Sequence, residues 1–106
     1  MSFRNLDEIE PREMMPGFRA KFIHTDRVTI AFWQIAAGAV LPEHSHPHEQ
    51  IATMLEGQFE LTVGGDTQVL EAGQVAVIPG DTLHSGRAIT NCRIQDVFQP
   101  PRDEYR

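Results

Sequence analysis

Short runs of alternating apolar and polar residues predict β-strands along most of the chain. The clearest run, 58–63, places Phe59, Leu61 and Val63 on one face with polar residues between them. No segment shows a 3.6-residue apolar period, and Pro11 interrupts the one candidate near the N-terminus. Aromatic and β-branched residues extend the strand prediction to 18–24, 27–36, 50–56, 67–71, 75–78, 83–88 and 93–98. The sequence therefore predicts a small all-β sandwich or barrel.

One predicted strand, 27–36, is apolar on both faces. Ile30 and Phe32 fall on one face, whereas Trp33 and Ile35 fall on the other. A strand of this kind has to be covered on both sides, and a small barrel covers only one of them. We therefore expect the second face to meet another copy of the chain in a homodimer.

The chain is expected to form a single domain over residues 1–106. Prolines and a glycine interrupt an N-terminal arm, 1–17, for which one short edge strand is expected around Phe3. The barrel is expected over 18–98. Two consecutive prolines prevent the C-terminal tail, 99–106, from continuing a strand ladder.

Charge and composition exclude several classes of function. The formal net charge is -6, with 15 acidic against 9 basic residues, which argues against nucleic acid as a partner. There is no basic run to bind a membrane surface and no apolar run long enough to span a membrane. A single cysteine allows no intrachain disulfide, and the N-terminus has no apolar signal-peptide region. These features predict a cytoplasmic protein.

A histidine-rich stretch, His44-Ser-His46-Pro-His48-Glu-Gln50, carries the most informative chemistry. In an extended backbone, residues two apart point to the same side, so His44 and His46 can aim at one point. Neutral imidazole is the commonest protein ligand for transition metals. The alternative is a solvated polar strand end, but the distant segment that ends at His84 offers a third ligand and favours a metal site.

The spacing around these histidines resembles the first motif of the cupin family. Gly38 is followed by five residues, His44-x-His46, three residues, Gln50, six residues and Gly57. The family has a glutamate where this chain has Gln50. The resemblance implies a double-stranded β-helix, which is a jelly-roll barrel of six to eight strands.

A second cupin-like motif lies further along the chain. Gly73 is followed by five residues and Pro79, and His84 stands at the family's histidine position. Asp81 occupies a position where the family has glycine, and Gly80 lies one residue earlier. The occurrence of both motifs in a β-rich chain strengthens the resemblance.

The resemblance implies a site for one divalent transition metal, which the sequence leaves open among Ni, Zn, Fe, Mn and Cu. Its implied ligands are His44, His46, Gln50 and His84. Because Gln50 is neutral, the metal would keep its full charge and act as a stronger Lewis acid toward an anionic substrate. A net negative chain is a poor general attractor for such a substrate, so local positive charge would have to outweigh the overall field.

The ending Asp96-Val-Phe98-Gln-Pro-Pro-Arg102-Asp-Glu-Tyr105, together with the histidine stretch, resembles the KdgF-type pectin-degradation cupins. Those enzymes convert 4,5-unsaturated uronates, released from pectin or alginate, into linear keto-deoxyuronates. The resemblance implies that Asp96 is the catalytic acid/base and that Phe98 and Arg102 contact an anionic sugar-acid substrate. A dioxygenase or other metalloenzyme acting on a different small molecule, and a non-catalytic binding cupin, are the alternative functions.

Several side chains keep a second interpretation at this point. An aspartate on the apolar face of strand 93–98 is costly unless it is paired or functional, but Asp96 can also bond a backbone group at a strand end. Arg102 can be a surface residue of the tail. His48 is expected to turn away from the metal, and Glu49 either accepts a histidine N–H or is solvated.

Overall fold

The computed structural model describes residues 2–106 and contains ten strands in two antiparallel sheets. The larger sheet has the strand order β1-β2-β3-β10-β5-β8, and the smaller has β4-β9-β6-β7. The two sheets form the predicted all-β jelly-roll barrel. The strands are β1 Arg12–Met15, β2 Phe18–His24, β3 Thr29–Ile35, β4 Val40–His44, β5 Glu49–Glu56, β6 Phe59–Val63, β7 Asp66–Leu70, β8 Val75–Ile78, β9 His84–Ala88 and β10 Cys92–Gln99.

Helical structure in residues 2–106 amounts to two short 3-10 turns, Leu6–Glu8 and Asp103–Tyr105. No helix within that range is long and apolar enough to cross a membrane.

Alternating side chains build the core between the sheets. Phe59 and Leu61 of β6 are buried as the sequence predicts, and Val63 is half-buried. Strand β10 buries Ile94 and Phe98 from the opposite sheet. Removing apolar side chains of this size from water contributes about 1.5–3 kcal/mol each, so this alternation fixes which face of each strand points inward.

Two strands were not expected from the pattern. The edge strand expected around Phe3 was wrong, because Phe3 lies in no strand and is 87% exposed. The edge strand is instead β1, which pairs with β2 and places Met15 opposite Phe18, against the core. The second addition is β4, where Pro42 obscures the strand pattern. These two strands bring the count to ten, above the six to eight that the resemblance implied.

Strand β3 has two apolar faces, as predicted. Trp33 and Ile35 are buried between the sheets, whereas Ile30 and Phe32 lie half-buried on the outer face of the larger sheet. The inner face of β3 therefore contributes to the barrel interior.

Because β10 includes Gln99, the C-terminal tail begins at residue 100, one residue later than expected; it leaves the ladder at the prolines and folds back onto the barrel. The backbone N–H of Arg102 donates to Oγ1 of the fully buried Thr29 at 2.9 Å. Nη2 of Arg106 donates to the Thr25 carbonyl at 2.9 Å. The Tyr105 ring contacts the Phe22 ring, with 4.9 Å between centroids. The tail is thus anchored, and it carries side chains into the barrel interior.

Candidate active site

A cavity of about 290 Å³ lies between the two sheets. Most of its wall is apolar and comes from core residues such as Phe18, Phe59 and Leu61. Its polar lining residues are few: His44, Gln50, His84, Asp96, Arg102 and Tyr105 are among them. A small number of polar groups in an apolar pocket is the usual character of a small-molecule site.

Three histidines, His44, His46 and His84, form an imidazole cluster at this cavity. Their potential ligand atoms all lie within 4.8 Å of one another. The ring centroids of His44 and His84 are 4.2 Å apart, and those of His46 and His84 are 4.9 Å apart. The histidines come from the end of β4, the following loop and the start of β9, so the cluster forms when the smaller sheet pairs.

Each imidazole of the cluster is oriented by a backbone carbonyl two residues away. Nδ1 of His44 bonds to the Pro42 carbonyl at 2.9 Å, and Nδ1 of His84 bonds to the Thr82 carbonyl at 2.9 Å. Nδ1 of His46 bonds to the carbonyl of residue 48 at 3.0 Å. A carbonyl accepts only from a protonated nitrogen, so each bond leaves Nε2 as the free lone pair.

Burial favours the neutral, metal-binding form of two histidines of the cluster. Burial, followed by the positive charges of Arg102 and His84, lowers the pKa of His46 to about 4. Burial also lowers the pKa of His84. Nε2 of His46 is buried and has no hydrogen-bond partner within residues 2–106. Three imidazoles that each present a free Nε2 fit a divalent transition metal.

Two polar side chains of the larger sheet lie beside the cluster. Gln50 on β5 and Asp96 on β10 are 8% and 6% exposed, and the Gln50 amide lies close enough to the Asp96 carboxyl to lower its pKa. Burial raises the pKa of Asp96 to about 7, although the Gln50 amide, the Trp33 indole and the Arg102 charge each act to lower it. At neutral pH this carboxyl can therefore both accept and donate a proton.

Arg102 enters the cavity from the tail. It is only 9% exposed, and its guanidinium carbon lies 4.7 Å from the Phe98 ring centroid and 4.3 Å from the Tyr105 ring centroid. Its Nε donates to Glu104. A guanidinium held between two rings is positioned as well as charged, which rules out a loose surface residue at this position.

The Cupin domain family model matches residues 31–98, which is more than half of the chain. This chain belongs to the cupin family. The matched range includes the imidazole cluster, Gln50 and Asp96.

Two KdgF proteins and an RmlC-like cupin are similar to this chain. The pectin degradation protein KdgF of Dickeya dadantii is 26% identical over 102 residues, covering 93% of this chain and 93% of the relative. The structure of KdgF from a Halomonas species superposes with a TM-score of 0.94 at 29% identity, covering 100% of this chain and 99% of that one. An RmlC-like cupin from Shewanella frigidimarina shares the fold, with a TM-score of 0.95 at 23% identity over 100% of this chain and 96% of that one. The chain is a KdgF-like cupin.

The backbone conformation explains how Asp81 is accommodated where the second cupin motif has glycine. Asp81 adopts a positive φ of 62°, the left-handed conformation that favours the glycine found there in the family. Its backbone N–H donates to the His46 carbonyl at 2.7 Å. A Cβ on the neighbouring Gly80 would lie 2.4 Å from the Pro47 carbonyl oxygen. In this cupin the turn before His84 is therefore packed directly against the histidine loop.

In the structure, the histidine stretch is not one continuous strand. Strand β4 ends at His44, so His46 reaches the cluster from a loop rather than by alternation along a strand. His48 lies outside the cluster, as expected, and its carbonyl orients His46. Glu49 is exposed, and backbone carbonyls take the acceptor role considered for it.

Two cavity residues were missed by the sequence interpretation. Trp33 and Tyr105 both line the cavity, yet Trp33 was assigned only to an apolar strand face and Tyr105 only to a C-terminal ending. Nothing in the spacing of either residue indicates the site, because each reaches it through the packing of a different element.

Proposed function

We propose that this cupin converts 4,5-unsaturated uronates into linear keto-deoxyuronates in a metal-dependent reaction. The observation that carries the proposal is the buried Asp96 carboxyl beside the imidazole cluster in one cavity. The similarity to KdgF proteins, one of which is described as a pectin degradation protein, supports the substrate class.

His44, His46, His84 and Gln50 would hold the metal. The imidazoles would supply Nε2, and the Gln50 amide can turn its N–H toward Asp96 and offer its oxygen as the fourth ligand. A bound divalent metal would supply Lewis-acid stabilisation of negative charge on the substrate carboxylate and the adjacent oxygen.

Asp96 would move the proton. Loss of the C1 hydroxyl proton opens the ring by breaking the bond between C1 and the ring oxygen, which leaves an aldehyde at C1 and an enolate at C5; protonation of C4 then turns the enolate into the C5 ketone. The hydroxyl proton lost from C1 and the proton gained at C4 balance, so the reaction is an isomerisation without a co-reactant. A carboxyl whose pKa is raised by burial to about 7 can accept the first proton and donate the second.

Arg102 and Phe98 would position the substrate. The guanidinium lies over the Phe98 ring at 4.7 Å and provides local positive charge inside a chain of net charge -6. Because Arg102 is buried, its charge acts on a bound carboxylate more strongly than the screened surface charges do.

A direct assay tests the proposed activity. Metal-loaded protein is mixed with 4,5-unsaturated galacturonate, and loss of the ultraviolet band of the conjugated enol is followed. We expect a rate well above the spontaneous one, abolished by a chelator and restored by added metal. A rate equal to the spontaneous one with every metal tried would refute the proposed function.

The homodimer stays a prediction, and one feature of the larger sheet supports it. An apolar row crosses five strands on its outer face, because the register aligns Ile23, Ile30, Val97, Ile51 and Val77. The row is most open at the sheet edge, where Val77 is 61% exposed and Ile51 is 38% exposed.

A two-fold axis through the outer face would bury the apolar rows of two copies against each other. Light scattering should therefore give a dimer mass for the natural chain and a monomer mass for Val77→Asp, whereas Leu83→Asp, at an exposed site outside the row, should stay dimeric. A monomeric natural chain would contradict the prediction.

A further inference from the structure

Two polar atoms in the cavity wall have no partner within residues 2–106. They are the indole N–H of Trp33 and Oδ1 of Asp96, and both are buried. Their strands, β3 and β10, are neighbours, with Trp33 opposite Ile94 and Asp96 two residues further along. Both side chains line the same cavity.

Leaving both atoms unpaired is costly. A buried donor or acceptor without a hydrogen bond costs about 1–3 kcal/mol, and native proteins retain few such groups. Most side chains that line the cavity are apolar and offer no partner, and the nearby Gln50 and Arg102 make no hydrogen bond to Oδ1 of Asp96. One atom is a donor and the other an acceptor, and a hydroxyl group is the simplest ligand that satisfies both at once.

We propose that the Trp33 N–H and Asp96 Oδ1 form a hydroxyl-binding subsite, which accepts one hydroxyl of a sugar-acid ligand whose carboxylate faces the imidazole cluster and Arg102. The hydroxyl accepts from the indole and donates to the carboxyl. That the ligand is a sugar acid rests on the proposed function. The presence of an unpaired donor and an unpaired acceptor in the cavity does not depend on that function. The subsite would distinguish a polyhydroxylated acid from a deoxy or alkyl acid of the same size.

A simpler role for Trp33 would be to bond Asp96 directly and only hold it in place. The indole is near enough to the carboxyl to lower its pKa, but its N–H makes no hydrogen bond of acceptable geometry to either oxygen. The two roles give different results when the N–H is removed. Loss of a ligand contact weakens binding, whereas loss of a positioning bond changes turnover and its pH profile without changing affinity for an inert ligand.

The chain offers an unusually clean way to remove that N–H. Trp33 is its single tryptophan. Biosynthetic replacement of tryptophan by benzothienylalanine, in which sulfur takes the place of the N–H, therefore changes this side chain alone and keeps its shape. Trp33→Phe is the genetic counterpart, with a smaller ring. In the natural chain, the same single tryptophan reports binding by its fluorescence.

The test measures binding of galacturonate, a stable sugar acid, to zinc-loaded protein by calorimetry. We expect the benzothienylalanine protein to bind galacturonate about 3- to 10-fold more weakly, the usual worth of one neutral hydrogen bond. Within a series of monodeoxy galacturonates, one member should bind the natural and substituted proteins equally, because it lacks the hydroxyl that the subsite takes. Zinc content should be the same in both proteins.

Three results would overturn the subsite. They are equal galacturonate affinity in the two proteins, no binding of galacturonate by the natural protein, and a change confined to kcat and its pH profile. Failure of the proposed function is a separate result: discrimination between galacturonate and its deoxy analogues would persist, but unsaturated galacturonate would not be turned over.

Discussion

The imidazole cluster and the surroundings of Asp96 lie in one cavity but are built in different ways. Every histidine of the cluster is oriented by a carbonyl two residues away in its own segment. Asp96, in contrast, is surrounded by Trp33 from β3, Gln50 from β5 and Arg102 from the tail. The metal ligands are thus positioned by local backbone, and the carboxyl is positioned by tertiary packing.

This difference has consequences for what each part tolerates. Locally held imidazoles should keep their orientation when distant side chains are replaced. The pKa of the carboxyl should respond to changes in any of the three elements around it, because burial raises that pKa and a group on each element lowers it. Substitutions that affect one region and spare the other can therefore test whether the two are independent.

The largest effect is expected from His84→Ala. Without this ligand the protein should lose its bound metal, and kcat/KM for unsaturated galacturonate should fall at least about 10⁴-fold, because Lewis-acid stabilisation is worth several kcal/mol at 1.36 kcal/mol per tenfold. Metal content by elemental analysis and the ultraviolet assay measure the two changes. His48→Ala is the matched control, since its backbone carbonyl still orients His46. Full metal retention in the His84 variant would remove this residue from the ligand set.

Asp96→Asn should separate the two regions. The amide keeps the size of the carboxyl but carries no proton to transfer, so we expect kcat to fall about 10²- to 10⁴-fold. Metal content should stay at the level of the natural protein, because the cluster is oriented by its own backbone. An active Asn variant would exclude Asp96 as the acid/base, and lost metal would show that the two regions are coupled.

The raised pKa of Asp96 also predicts a dependence of stability on pH. Burial raises that pKa from 3.8 to about 7, so the metal-free folded protein holds the proton more tightly than the unfolded chain. This contribution is fully present below pH 3.8 and is lost as the pH rises through about 7. The lowered pKa values of His46 and His84 make the stability increase as the pH rises, which opposes the contribution of Asp96. The pH dependence of the natural protein alone therefore does not isolate the contribution of Asp96.

Comparison of the natural protein with Asp96→Asn isolates the contribution of the Asp96 carboxyl to stability. Because the histidines are common to both proteins, the Asn variant should gain stability relative to the natural protein as the pH rises from 4 to 8. At 1.36 kcal/mol per pH unit, the gain should be on the order of a few kcal/mol. Urea unfolding of both proteins in chelator, at several pH values, measures it. A difference that does not change with pH would mean that the carboxyl has an ordinary pKa.

A smaller effect is expected from Thr29→Val, which tests the anchoring of the tail. Valine keeps the shape of threonine but removes the Oγ1 that accepts the Arg102 N–H at 2.9 Å and also bonds Nδ1 of His24 at 2.9 Å. We expect a loss of about 1–3 kcal/mol in unfolding free energy and a several-fold higher KM, with kcat and metal content close to the natural values. Thr62→Val is the control, since it also removes a threonine hydroxyl bond, to Thr67 at 2.7 Å, but in the smaller sheet, and it should leave KM unchanged. An unchanged KM would show that Arg102 is positioned by its ring contacts alone.

The same contrast explains what could be predicted from the sequence. The spacing of His44, His46 and His84 indicates that they converge, because two of them lie in one short segment and the resemblance to the cupin motifs brings the third to the same site. The alternation in β6 predicted its buried face for the same local reason. The role of Trp33 could not be predicted, since its indole reaches Asp96 only when β3 and β10 pair, and β1 escaped notice because Met15 finds its apolar partner only in the folded barrel.

The most direct test of the account follows the proton that Asp96 is proposed to deliver. Unsaturated galacturonate is converted in deuterium oxide by the metal-loaded natural protein and by Asp96→Asn, and the product is analysed by proton NMR. The account predicts deuterium at one of the two positions on C4 with the natural protein, and the uneven labelling should disappear in the Asn variant. Equal labelling of both positions by the natural protein, at a rate matching the Asn variant, would contradict it.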